Sequence, residues 1–134
     1  MFTAKSLTFL RALKRNNNRE WFRERKEDYE HHVRAPMIEV LARLSVDFRS
    51  FAPELISDPK VSIFRIYRDT RFSSDKTPLK TAIAAHFPSR HFAKNLGAGL
   101  YFEVAPAWVW IGGGMYMPTT TDLQAIRNQI ASTP

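Results

Sequence analysis

The chain has 134 residues, 44% of them hydrophobic and 25% charged, a size and balance that suit one globular domain over residues 1–134 and exclude two. It has no cysteine, which excludes a disulfide framework, a zinc ribbon, an iron–sulfur site and a thiol nucleophile, and fits a reducing, cytoplasmic compartment. The formal charge of +7 is concentrated in two blocks: residues 1–34 hold nine basic and five acidic groups, and residues 68–95 hold six and two.

In chain order, Thr3 caps a first helix that carries Leu7, Leu10 and Leu13 on one side. Asn16, Asn17 and Asn18 stop it and cap the next, because Asn tolerates the left-handed conformation and accepts from helix N–H groups. The second helix, with Glu20 in its first turn, is mostly charged and buries only an aromatic edge that includes Trp21, Phe22 and Tyr29. Pro36 suits the first turn of a third helix, in which Met37, Val40, Leu41, Leu44, Phe48 and Phe51 recur at helical spacing. Pro53 and the pair Asp58 and Pro59 punctuate its end.

Residues 61–67 alternate with β-branched and aromatic enrichment and predict a strand. A polar, turn-rich segment follows over 68–80, then a strand over 81–87 and a loop over 88–97. Strands over 99–104 and 108–111, joined through Ala105, Pro106 and Ala107, predict a hairpin. A last helix starts at Thr121 or Asp122 and carries Leu123, Ile126 and Ile130. Helices first and strands afterwards predict an α+β fold: N-terminal helices packed on a mostly antiparallel sheet of about four strands. The uncharged stretch 104–121 is broken by Pro106, Pro118, Gly112, Gly113 and Gly114, so it does not predict a membrane span. Lys5, Arg11 and Lys14 interrupt any signal-peptide core. A soluble chain is expected.

Chemistry concentrates in residues 68–80. Arg68, Arg71, Lys76 and Lys80 stand close together with Ser73 and other hydroxyl-bearing residues, a composition that suits an anion. Arg offers a planar fork matched to phosphate or carboxylate, and Lys a point charge. Asp69 and Asp75 orient these cations, or pair with them and simply pin a long loop. Asp69 makes a poor general base, because neighbouring cations lower a carboxylate pKa. No histidine lies within sequence reach of Ser73 and Ser74, so no serine nucleophile is read. Gly112, Gly113 and Gly114 permit close approach of a ligand or another backbone; a bulge or close strand-to-helix packing is the structural explanation favoured for them, and a pocket border the functional one. No Gly-Lys-Ser/Thr follows them, so they form no phosphate loop. His31 and His32 diverge by about 100° on a helix. His86 and His91 have no carboxylate at ligand spacing between them, and no metal site is read.

The residues resemble a known family. Phe2 with Leu7, the Asn16 to Asn18 run leading into Glu20, Trp21 and Phe22, then Tyr29 and Pro36, look like the start of the domain-of-unknown-function 2461 family of bacteria and fungi. Residues 68–80 resemble its signature, Arg-Asp-x-Arg-Phe-Ser-x-Asp-Lys-x-Pro-x-Lys, and residues 97–101 and 112–114 its later glycine-containing blocks. Leu79 stands where the family pattern has an aromatic residue. The resemblance brings no activity, substrate or cofactor. It implies that Arg68, Asp69, Arg71, Phe72, Ser73, Asp75, Lys76, Pro78 and Lys80 are the best site candidates. It also implies a chain shortened at its C-terminus, with a sheet edge exposed to self-association.

The leading expectation is a domain that binds a small, phosphate-bearing anion through Arg68, Arg71, Ser73, Lys76 and Lys80; no catalytic residue or cofactor is assigned. The alternatives are a hydrolase or transferase on a phosphorylated substrate, a nucleic-acid module built on the basic blocks and aromatics, and an interaction domain without a ligand.

Overall fold

The computed structural model describes residues 1–93 and 96–133. The loop expected over 88–97 therefore includes two positions, 94 and 95, outside the described residues. Helix α1 (Ala4–Arg15) begins at Thr3, whose backbone N–H donates to Ser6 Oγ at 3.0 Å. It ends at Asn16, and buries Phe9, Leu10 and Leu13. Asn18 caps α2 (Arg19–Glu24) by accepting from the Trp21 N–H at 2.8 Å, so the asparagine run closes one helix and opens the next.

The expected boundary between the second and third helices is not there. A break at Arg25 separates α2 from α3 (Lys26–Tyr29), but α3 passes through a π-helical turn at Glu30–Arg34 directly into α4 (Ala35–Phe51). Two physical facts account for this. Tyr29, Val33, Met37 and Leu41 are all buried at four-residue steps. At 3.6 residues per turn each such step drifts by about 40°, and the wider i→i+5 turn takes up that drift. The same turn relieves the clash that the Pro36 ring would make one turn back in a regular helix.

The strand expected over 61–67 is also corrected. Pro59 at the first position and Asp58 at the N-cap, accepting from the Lys60 N–H at 2.8 Å, wind Val61 and Ser62 into the short helix α5 (Pro59–Ser62). Local capping chemistry overrides the β-branched pattern there. The chain beyond it is extended but makes only isolated bridges, Ile63 with Ala85 and Tyr67 with Leu79.

Among the described residues the sheet has three strands, not about four: β1 (Ile83–Phe87), β2 (Ala98–Val104) and β3 (Val109–Met115), antiparallel in the order β1-β2-β3. The fold is α+β, as the pattern of helices then strands implies. Ile83 pairs with Val104, Ala85 with Phe102 and Phe87 with Leu100. Opposed residues share a face, and this one packs on the helices: Ile83, Ala85, Phe87 and Val104 join Leu10, Phe22, Met37 and Leu41 in one core. The predicted hairpin is present, closed by the Ala105 N–H donating to the Trp108 carbonyl at 2.9 Å. Gly112, Gly113 and Gly114 lie inside β3 rather than after it, opposite Tyr101, Leu100 and Gly99.

Helix α6 (Thr120–Ser132) starts one residue before the expected range, where Thr119 and Asp122 cap each other. None of its residues is buried, and Ile126 and Ile130 face solvent.

Candidate functional site

The face of the sheet away from the helices carries His86 of β1, Tyr101 and Glu103 of β2 and Trp110 of β3. Residues 68–80 fold back beside it. The two ends of the segment are tied to each other by backbone bonds, Arg68 N–H to the Pro78 carbonyl at 2.9 Å and Lys80 N–H to the Ile66 carbonyl at 2.8 Å. One side chain fixes it to the N-terminal half. Asn17 Nδ2 donates to the Leu79 carbonyl at 2.8 Å, and its Oδ1 accepts from the Leu79 N–H at 3.0 Å. Leu79 itself is 1% exposed and packs in the core, so the position where the family pattern has an aromatic residue serves here as an anchor.

Between the segment and the sheet lies a cleft of about 520 Å³, within the size range of small-molecule sites. Arg68, Asp75 and Lys80 reach it from the segment, Phe64 from the extended chain before it, and Tyr101, Glu103 and Trp108 from the hairpin. Arg68 Nη1 donates to the Thr77 carbonyl at 2.9 Å and to Thr77 Oγ1 at 2.6 Å, and sits 3.0 Å from Asp75 Oδ2. Among the described residues its Nε and Nη2 have no hydrogen-bond partner. Lys80 stands over the Phe64 ring at 5.2 Å, in cation–π range, and pairs with no carboxylate among the described residues. Partial burial and the neighbouring Arg65 both push its pKa down.

The other segment residues are arranged differently. Arg71 forms a two-pronged pair with Asp69, Nε to Oδ1 at 3.0 Å and Nη2 to Oδ2 at 2.7 Å, on the open surface. Those hydrogen bonds hold the Asp69 pKa at about 2, so it carries its charge throughout the neutral range. Lys76 Nζ donates to the Thr70 carbonyl at 2.7 Å. Arg71, Ser73 and Lys76 do not line the cleft.

A second, more apolar cleft of about 640 Å³ adjoins the first across Phe64 and Tyr101. Gly99, Gly112, Gly113 and Gly114 border it together with Trp110 and Tyr116. Gly99 and Gly112 have packing reasons. A Cβ on Gly99 would stand 2.7 Å from His86 Nε2 and 2.8 Å from the Phe87 carbonyl, and one on Gly112 3.2 Å from the Trp110 ring. Gly114 has φ +151°, which side-chain-bearing residues rarely adopt.

Glu103 and Asn17 are site residues that the reading of the sequence did not single out. Glu103 Oε2 accepts from the Tyr101 hydroxyl at 2.6 Å and Oε1 from Trp108 Nε1 at 2.8 Å. Burial, together with this carboxylate, raises the Tyr101 pKa far above that of an ordinary phenol. The available signal was that Glu103 is the sole acidic residue between Asp75 and Asp122, two positions from Tyr101 on one strand face. Among the described residues there is no group of three or more His, Asp or Glu that would hold a metal ion, and no helix long and apolar enough to cross a membrane.

An α+β domain with a mixed-charge cleft between a cation-rich segment and the open face of a three-stranded sheet is the class this geometry defines. The chain belongs to the family described as conserved hypothetical protein (DUF2461), which it matches over residues 5–134, nearly its whole length. No curated protein and no solved structure matches it.

Proposed function

We propose that this domain binds a small phosphate-bearing anion in the cleft, with Lys80 and Arg68 as its ligands. The observation that carries the reading is Lys80: a half-buried ammonium at the cleft wall with no carboxylate partner among the described residues, its charged form disfavoured by burial and by Arg65. An anion there relieves both penalties. Arg68 has Nη1 fixed by Thr77 and Asp75, which pre-orients the guanidinium plane for a second set of bonds. Arg71 and Lys76 act in this reading as fasteners of the segment, through Asp69 and the Thr70 carbonyl.

The test is isothermal calorimetry with inorganic phosphate, pyrophosphate and sugar phosphates at fixed low salt. Lys80→Met is expected to weaken binding about tenfold or more, the loss of one charge-assisted contact. Lys60→Met, an exposed lysine outside the segment, is expected to leave affinity nearly unchanged. Equal affinity in wild type and Lys80→Met would overturn the assignment. Phosphate release from the same compounds would move it to a hydrolase, and salt-steep binding of any nucleic acid to the polyanion reading.

A second reading, favoured by a different observation, is self-association along β3. This strand is a sheet edge, and on the sheet's core face its Val109 and Ile111 are 63% and 71% exposed. A second copy pairing with the edge would cover both.

A further inference from the structure

The cleft holds four charged side chains, Arg68, Asp75, Lys80 and Glu103. Arg68 and Asp75 neutralise one another at 3.0 Å. Two charges of opposite sign remain, Lys80 and Glu103, and neither makes an ion pair with any described residue, each other included. Glu103 is nevertheless held in place. Each of its carboxylate oxygens accepts one neutral donor, from Tyr101 at 2.6 Å and from Trp108 at 2.8 Å. Neutral donors orient a carboxylate without cancelling its charge. A carboxylate has about four lone-pair sites, so roughly two stay open. A simple anion would gain at Lys80 and be repelled at Glu103.

We propose that the ligand is dipolar, a phosphate monoester carrying an ammonium group, with its phosphate on Lys80 and Arg68 and its ammonium on Glu103. This rests on the anion-site reading above and adds the class of molecule. The two poles turn a cleft that discriminates weakly among anions into one that selects against those lacking a cationic end. Tyr101 and Trp108, which hold Glu103, supply aromatic walls at the ammonium pole, and Phe64 lies under Lys80 at the phosphate pole.

The test is calorimetric titration with three probes, O-phosphoethanolamine, its N-acetyl derivative and propyl phosphate, on wild type, Glu103→Gln and Lys80→Met. Phosphoethanolamine is expected to bind wild type about tenfold more tightly than either uncharged-end probe. In Glu103→Gln that preference falls to about one, phosphoethanolamine losing its carboxylate partner and propyl phosphate gaining from the lost repulsion; in Lys80→Met all three weaken. The comparison of probes on wild type needs no variant and stands even where Glu103→Gln does not fold. Equal binding of the three probes by wild type, or a preference retained in Glu103→Gln, overturns the dipolar ligand and leaves the anion site standing. No binding of any probe overturns both.

Discussion

At the scale of single residues, the segment 68–80 is governed by which carboxylate reaches which cation. Asp69 and Arg71 are two positions apart and clasp within one turn, whereas Arg68 and Asp75, seven apart, meet only because the segment doubles back. The clasps depend on pH in a definite direction. The Asp69 pKa is held at about 2, and that of Asp75 is also lowered, chiefly by the Thr77 backbone and hydroxyl donors. A carboxylate with a depressed folded-state pKa contributes fully above its unfolded value, near 4, and is lost as pH falls through the folded one. The segment is therefore expected to stay fastened at pH 4 and to loosen between about 4 and 2. The ¹⁵N shift of Arg71 Nε should titrate with a midpoint near 2; a midpoint near 4 would mean that the clasp is absent in solution. The concentration of cations was legible in the sequence because it is a matter of composition. Their division into cleft-facing Arg68 and Lys80 and outward Arg71 and Lys76 was not, because it depends on turn geometry. Glu103 escaped notice for a related reason: its partners, Tyr101 and Trp108, become its neighbours only once the hairpin closes.

At the scale of elements, caps and turns were read well and continuations less well. Thr3, the asparagine run and the hairpin through Ala105, Pro106 and Ala107 follow from rules that act over three or four residues. The π turn at Glu30–Arg34 and the winding of Val61 and Ser62 into α5 depend on how two local preferences compete, and periodicity alone does not rank them. The glycines of the sheet show the same limit. The sequence marks Gly112, Gly113 and Gly114 as places of close approach, and the structure says what approaches Gly112, the Trp110 ring; it adds Gly99, which was not read that way and stands against His86 and the Phe87 carbonyl. Gly99→Ala must displace backbone as well as a side chain, and is expected to cost about 1–3 kcal/mol, as overpacking does. Urea denaturation of the variant would measure it, and an unchanged midpoint would show that β1 and β2 are less closely paired than the 2.8 Å approach of the Phe87 carbonyl requires.

At the scale of the whole molecule, the apolar surface is distributed asymmetrically. One end of the sheet is covered by α1, the π turn and α4, while β3 carries Val109, Trp110 and Ile111 into solvent, and α6 buries none of its own residues. Exposed apolar side chains on an open strand edge favour association, and a charge placed there opposes it. If self-association along β3 is correct, Ile111→Lys should shift the sedimentation distribution toward monomer without lowering the melting midpoint. A wild-type chain that stays monomeric over the same concentrations would remove that reading.

The double hydrogen bond from Asn17 to Leu79 has a kinetic consequence. It joins positions 62 residues apart, and the cleft it secures also needs the hairpin that carries Tyr101 and Glu103. Contacts that close so long a loop bring their reward only after most of the chain has been ordered, so they belong to the last part of the folding reaction. Interactions absent from the transition state leave the folding rate nearly untouched and act on the rate of unfolding. Whatever occupies the cleft would accordingly prolong the life of the folded molecule rather than hasten its birth.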